Sequence, residues 1–239
     1  MLDVHPTWRP DVEAAYAALD ADYRRFVESA ETIPERGRIF NAFRTLPKSE
    51  VRYILFGQDP YPRRESATGH AFIDGAVDAI FSETGLSKAV NRATSLRNFI
   101  KMALVAEGLL SGENLSQEAI GQIDKSALIA TIDDLRENFE ANGVLLLNAA
   151  LVFEQKRASG RHAKAWQPFI RSLLSRLNED VELILFGSIA KTILKIPETS
   201  RFGRYRLEHP YNHTFILNET AHRLFGPMHL LRKNRKISD

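Results

Sequence analysis

Apolar and polar positions along the 239-residue chain follow two patterns. Residues 51–56, 143–151 and 181–186 are short, nearly unbroken apolar runs rich in β-formers. Such runs read as strands covered on both faces, which need no alternation. A fourth short strand is expected at 205–207. Between the runs the apolar spacing is helical. Residues 11–30 place Val12, Ala15, Tyr16, Leu19, Tyr23, Phe26 and Val27 on one face, with Pro10 just before, as a helix start allows. Ser95 opens a helix through Ala103, and 113–142 contains one with Ile129, Ile132, Leu135 and Phe139 on a face. Residues 166–177, a stretch after Ser188 through Leu194, and 218–231 complete the helical set. Strands separated by helices predict an α/β fold: one domain over 1–239, a three-layer α/β/α sandwich around a mostly parallel four-stranded sheet.

Composition changes this picture little, but charge placement adds to it. The apolar share of 44% suffices for a substantial core, and the net charge is only +2. From Glu107 to Asn142 eight acidic residues face Lys125 and Arg136, a net of −6. From Arg201 to Lys236 eight basic residues face Glu208 and Glu219, a net of +6. A polyanion is therefore expected to meet the C-terminal third, with the acidic stretch turned away. The chain has no cysteine, which excludes disulfides and Cys-ligated zinc or iron–sulfur sites. No apolar run approaches a membrane span and no charged-then-apolar leader opens the chain, so a soluble, cytoplasmic protein is expected.

Candidate chemistry gathers at the ends of the expected strands. The first run stops at Gly57, followed by Gln58, Asp59, Pro60, Tyr61 and Pro62. The prolines stiffen the turn and the glycine frees it, which makes a rigid platform for a carboxylate. In open α/β sheets the carboxyl edge is where sites form. Asn148 ends four apolar residues, and a buried carboxamide without partners costs about 1–3 kcal/mol. The Gly187–Ser188 step from strand to helix and Ser95 at a helix start are candidate phosphate seats. His209 and Pro210 follow the fourth strand.

The string Gly57-Gln58-Asp59-Pro60-Tyr61 resembles the water-activating motif of the uracil-DNA glycosylases, in the branch called family 1. Four further motifs are similar and in the same order: Ser95-Leu96-Arg97-Asn98, the Leu-Asn-Ala strand around Asn148, Gly187-Ser188, and His209-Pro210. Together they cover roughly residues 50–232. Pro62 replaces the family's histidine, residues 74–94 lack its prolines, and Tyr211-Asn212-His213-Thr214 departs from its second motif.

The resemblance implies hydrolysis of the N-glycosidic bond of flipped-out deoxyuridine in DNA, without metal or other cofactor. Asp59 and His209 would be catalytic. Gln58, Tyr61, Phe72 and Asn148 would bind uracil. Ser95, Gly187, Ser188, Tyr211, His213 and Thr214 would contact DNA. His213 stands where the family's duplex-entering leucine belongs, with Phe215 as the alternative. The chain is expected to be a monomer acting on single- or double-stranded uracil-containing DNA. The changed second motif argues against binding by the family's phage-encoded protein inhibitor. The departures leave open a non-catalytic or altered-specificity superfamily member that binds uracil or abasic DNA.

Overall fold

The structure is a computed structural model that describes residues 3–233. Its strands among these residues are β1 (Tyr53–Gly57), β2 (Phe81–Ser82), β3 (Gly85–Leu86), β4 (Val144–Asn148), β5 (Glu182–Phe186) and β6 (Gly203–Leu207). Two compact units form. The first joins the residues up to Gly75 with Gly143–Arg206, and the second joins Ala76–Asn142 with the residues from Leu207 on.

The first unit holds the four-stranded sheet, in the order β4-β1-β5-β6. β1 runs parallel to both neighbours, with Gly57 opposite Asn148 and Phe56 opposite Leu185. The chain leaves β1 to one side for β4 and returns on the other side for β5. This reversal is the switch point at which open α/β sheets place their sites. Ile54, Phe56, Leu145, Leu147, Leu183 and Leu185 share a core with Trp8, Phe43, Trp166 and Phe169. Their neighbours Leu55, Leu146 and Ile184 are also buried, which is why the runs show no alternation. The sheet and its surrounding helices are the α/β architecture expected from the sequence.

Three helical expectations are corrected in this unit. Residues 11–30 form two helices, Arg9–Ala17 and Ala21–Ser29. Asp20 breaks them: its carboxylate accepts from the amides of Asp22 and Tyr23 at 3.0 and 3.1 Å. Such an N-cap is worth about 1 kcal/mol. The helix expected from Trp166 starts at Ser159 and runs to Leu174, with Pro168 inside it. The helix after Ser188 is shorter, Ile189–Ile193.

The second unit packs the helices Thr94–Ala106, Ile132–Ala141 and Glu219–Phe225. Phe99 is their hub, with ring centroids 5.0 Å from Phe225, 5.7 Å from Phe139 and 6.3 Å from Phe215. The antiparallel pair β2–β3 and the helix Lys88–Arg92 occupy the stretch that the sequence left undefined. The last helix ends at Phe225 rather than near 231, because a 3-10 turn, Gly226–Met228, with Pro227 takes over.

The acidic and basic runs touch within this unit. Glu107, whose side chain is only 1% exposed, pairs with Arg232 at 3.0 Å and approaches His229 at 3.5 Å. Arg223 pairs with Glu219. The two runs therefore meet at Glu107 and Arg232, while the second pair lies within the basic run. The end of the basic tail, from residue 234, lies outside the described residues. Among the described residues no helix is long and apolar enough to cross a membrane.

Candidate active site

In the first unit, the carboxyl edge of the sheet collects seven of the expected residues. The parallel register sets the ends of β1, β4 and β5 side by side. The backbone continues this pairing past the strands: the Gly57 carbonyl accepts from Ala149 at 2.9 Å and the Gln58 carbonyl from Ala150 at 3.0 Å. Gln58 is thus tied down through its main chain, and it delivers Asp59 to the edge.

Asn148 ends β4 directly opposite Gly57 and is 3% exposed. The site for it exists because Gly57 has no side chain. A Cβ there would lie 2.2 Å from Asn148 Oδ1 and 2.9 Å from the Ala71 Cβ.

Ala71 in turn donates its amide to the Leu146 carbonyl at 3.0 Å, which lashes the loop of residues 58–75 to β4. Next to it, Phe72 holds a left-handed φ of 69°. A bulky side chain in that region costs about 1–2 kcal/mol, and such strain concentrates at functional positions. The Phe72 ring lies 6.1 Å from the Phe186 ring. Tyr61 donates its hydroxyl to the Phe72 carbonyl at 3.4 Å. Burial, and secondarily the charge of Asp74, pushes the Tyr61 pKa well up, so the phenol stays protonated. Tyr61 and Phe72 are therefore fixed relative to each other.

Asp59 accepts a hydrogen bond from the Ser159 hydroxyl. Gln58 Nε2 donates to the same hydroxyl oxygen at 3.4 Å. Ser159 is the residue that the sequence reading missed. Its helix was started seven residues late, although His162, one turn before Trp166, continues the buried face. Gly187, at φ 56°, turns the chain from β5 into the helix Ile189–Ile193, with Ser188 at its N-cap.

The second unit carries the other five residues. Ser95 is the second residue of its helix, not the cap; the N-cap is Ala93, with no side-chain bond. Ser95 thus stands one residue inside the helix start, among the open amides of a first turn. Asn98, 1% exposed, was expected only as part of a motif. It donates to the carbonyls of Pro210, Tyr211 and Asn212 at 2.8, 3.2 and 3.3 Å, and so clamps the loop after His209.

Within that loop the Tyr211 amide donates to His209 Nδ1 at 3.0 Å. An accepting Nδ1 places the proton of neutral imidazole on Nε2. Partial burial lowers the His209 pKa below the usual histidine value, which favours that neutral form. Tyr211 is 67% exposed and His213 is exposed, while the Thr214 hydroxyl donates to Glu208. Phe215 is fully buried against Phe99, so it is a core residue and cannot be the duplex-entering side chain. Among the described residues no cluster of three His, Asp or Glu side chains could hold a metal ion.

No protein-family model matches the chain. Curated relatives do. A uracil-DNA glycosylase of Leuconostoc mesenteroides is 25% identical over 86% of this chain and 83% of its own length. That of Xanthomonas campestris is 27% identical over 87% and 78%. Among solved structures, the wild-type UNG crystal structure from Nitratifractor salsuginis is 54% identical, covers 97% of this chain and 94% of that one, and has a TM-score of 0.94. The mimivirus uracil-DNA glycosylase, at 18% identity and a TM-score of 0.55 over 87% of this chain, shares the fold. With half its residues identical to the Nitratifractor protein across nearly their whole lengths, the chain belongs to the uracil-DNA glycosylase family.

Proposed function

We propose that this chain excises uracil from DNA by hydrolysing its N-glycosidic bond, with Asp59 and His209 as the catalytic groups and Asn148 as the reader of the base. The observation that carries the reading is the Asn148 carboxamide, buried at the end of β4 in the space that Gly57 leaves open. A carboxamide can donate to uracil O4 and accept from N3–H. Cytosine offers the reverse pattern and would leave both sides unpaired, a mismatch that such sites reject strongly.

Each remaining group has a physical task. Uracil must leave the stack to be reached, at a cost of a few kcal/mol. Phe72 offers its ring face to the flipped base, a contact worth about 1–3 kcal/mol. The ring of Tyr61, held by its bond to the Phe72 carbonyl, fills the space next to uracil C5 and clashes with the methyl of thymine. Gln58 contributes through its tied backbone. As the bond to the sugar breaks, positive charge grows on the sugar and negative charge on uracil. Asp59 stabilises the former and orients the water that adds to C1′, taking up its proton. His209, neutral with its proton on Nε2, donates to uracil O2 as charge collects there. Ser95, Gly187, Ser188, Tyr211 and Thr214 grip phosphates, and His213 enters the gap left by the flipped base. No step uses a metal.

A single-stranded oligonucleotide with one uracil tests this, read as strand breakage in alkali. Wild type should break the strand at uracil. Asp59→Asn should bind the oligonucleotide as well as wild type yet lose most of the cleavage, since the carboxylate acts chiefly in the transition state. Tight binding without breakage by wild type would replace excision with mere recognition.

A further inference from the structure

We infer that Ser159 is a positioning residue for Asp59, holding the carboxylate in the orientation that water activation needs; the inference rests on the role of Asp59 just proposed. A serine hydroxyl has one proton, and Ser159 gives it to Asp59 Oδ2. Gln58 Nε2 donates to the Ser159 hydroxyl oxygen at 3.4 Å, which leaves the hydroxyl proton for the carboxylate. Gln58, Ser159 and Asp59 thus form a directed chain of donors. Oδ2 is committed to it, and Oδ1 remains to face the water.

Two features separate this contact from an incidental one. First, the hydroxyl does nothing for its own helix. Ser159 is the first residue of Ser159–Leu174, one past the N-cap Ala158, and no side chain caps that end. Second, the helix start is held firmly. One turn on, the fully buried His162 meets the Tyr23 hydroxyl through Nδ1 at 2.6 Å, and its ring stacks on Phe26 at 5.8 Å. A donor on a packed helix holds its partner better than one on a loop.

The loop around Asp59 also needs an outside donor. Pro60 and Pro62 have no N–H, and Pro62 stands where the resembled motif has a histidine. The loop's two cations are turned elsewhere: Arg63 towards Glu65 at 3.7 Å and Arg64 towards Glu31 at 3.2 Å. Ser159 reaches Asp59 from a segment 100 residues away in sequence. A hydroxyl–carboxylate bond is of the strong, charge-assisted kind.

The test is a double-mutant cycle in the full chain, on single-stranded uracil oligonucleotide under single-turnover conditions. Ser159→Ala should slow the chemical step roughly 10- to 100-fold, the span of one lost hydrogen bond to a charged group. KM should stay within about twofold of wild type, because substrate binding does not use the contact. Ser159→Thr, which keeps the hydroxyl, should recover most of the rate. In an Asp59→Ala background, Ser159→Ala should have no further effect, since its partner is gone. A purely structural role would lower the melting temperature and multiply the loss in that background. Wild-type speed in Ser159→Ala, or an undiminished loss beside Asp59→Ala, overturns the inference and leaves excision standing. A wild type that releases no uracil overturns both.

Discussion

Gly57→Ala perturbs the site without replacing any side chain that meets substrate. The new methyl would lie 2.2 Å from Asn148 Oδ1, whereas ordinary contact begins at 3.4 Å. The carboxamide must therefore retreat by about 1.2 Å, since the Ala71 Cβ at 2.9 Å blocks the methyl on another side. Gly57 has no left-handed φ, so the backbone itself accepts alanine. Overpacking of this kind costs roughly 1–3 kcal/mol. The low end applies, because a side chain can swing away where a backbone cannot. That corresponds to a loss of about 2–4 °C in melting temperature for a chain of this size. Activity should suffer far more, as a displacement near 1 Å costs roughly 100-fold in rate. The assay is single-turnover uracil release at saturating enzyme, with thermal melting alongside. The effect should also vanish in an Asn148→Ala background, where no carboxamide remains to be displaced. A Gly57→Ala rate within about threefold of wild type would refute the reasoning. So would a 100-fold loss that persists without Asn148.

Two other consequences are open to direct measurement. Tyr61→Ala removes the block beside uracil C5, so the variant should release thymine from a thymine-containing strand; wild-type selectivity in this variant would show that another residue excludes the methyl. Stability should fall in acid because burial, followed by the charge of Arg161, holds the His162 pKa below the ordinary 6.5. The unfolded chain then binds the extra proton below about pH 6.5 while the folded chain resists it, so stability is complete above that pH and is lost as pH falls. Melting temperature followed between about pH 5 and pH 8 should show a flatter acid limb for His162→Gln. His209, lowered in the same direction, keeps the limb from disappearing, and an unchanged slope would remove His162 from the account.

The strands were legible because two-sided burial leaves unbroken apolar runs such as Leu145–Leu146–Leu147. The site residues of the sheet edge were legible because parallel strands bring their ends together, so Asp59, Asn148 and Ser188 could be grouped from strand ends alone. Helix bounds were less so. Asp20 caps a second helix where the apolar spacing of residues 11–30 runs on undisturbed, and the helix expected from Trp166 begins seven residues earlier. The late start of that helix hid Ser159, whose partner Asp59 is far away in sequence. Nor does spacing disclose that Phe215 is core and His213 surface, two positions apart on one 3-10 turn, since that depends on where Phe99 packs. Nor does the sequence disclose that Glu107 and Arg232, 125 residues apart, pair in space.

The central claim is that Asn148 reads uracil. It is tested most directly by comparing free uracil and free cytosine released from matched single-stranded oligonucleotides, by wild type and by Asn148→Asp. A carboxylate can accept from the cytosine amino group but cannot donate to uracil O4. The account predicts that wild type releases uracil alone, and that Asn148→Asp loses most uracil release and gains measurable cytosine release. Unchanged selectivity in Asn148→Asp, at an unchanged rate, would contradict it.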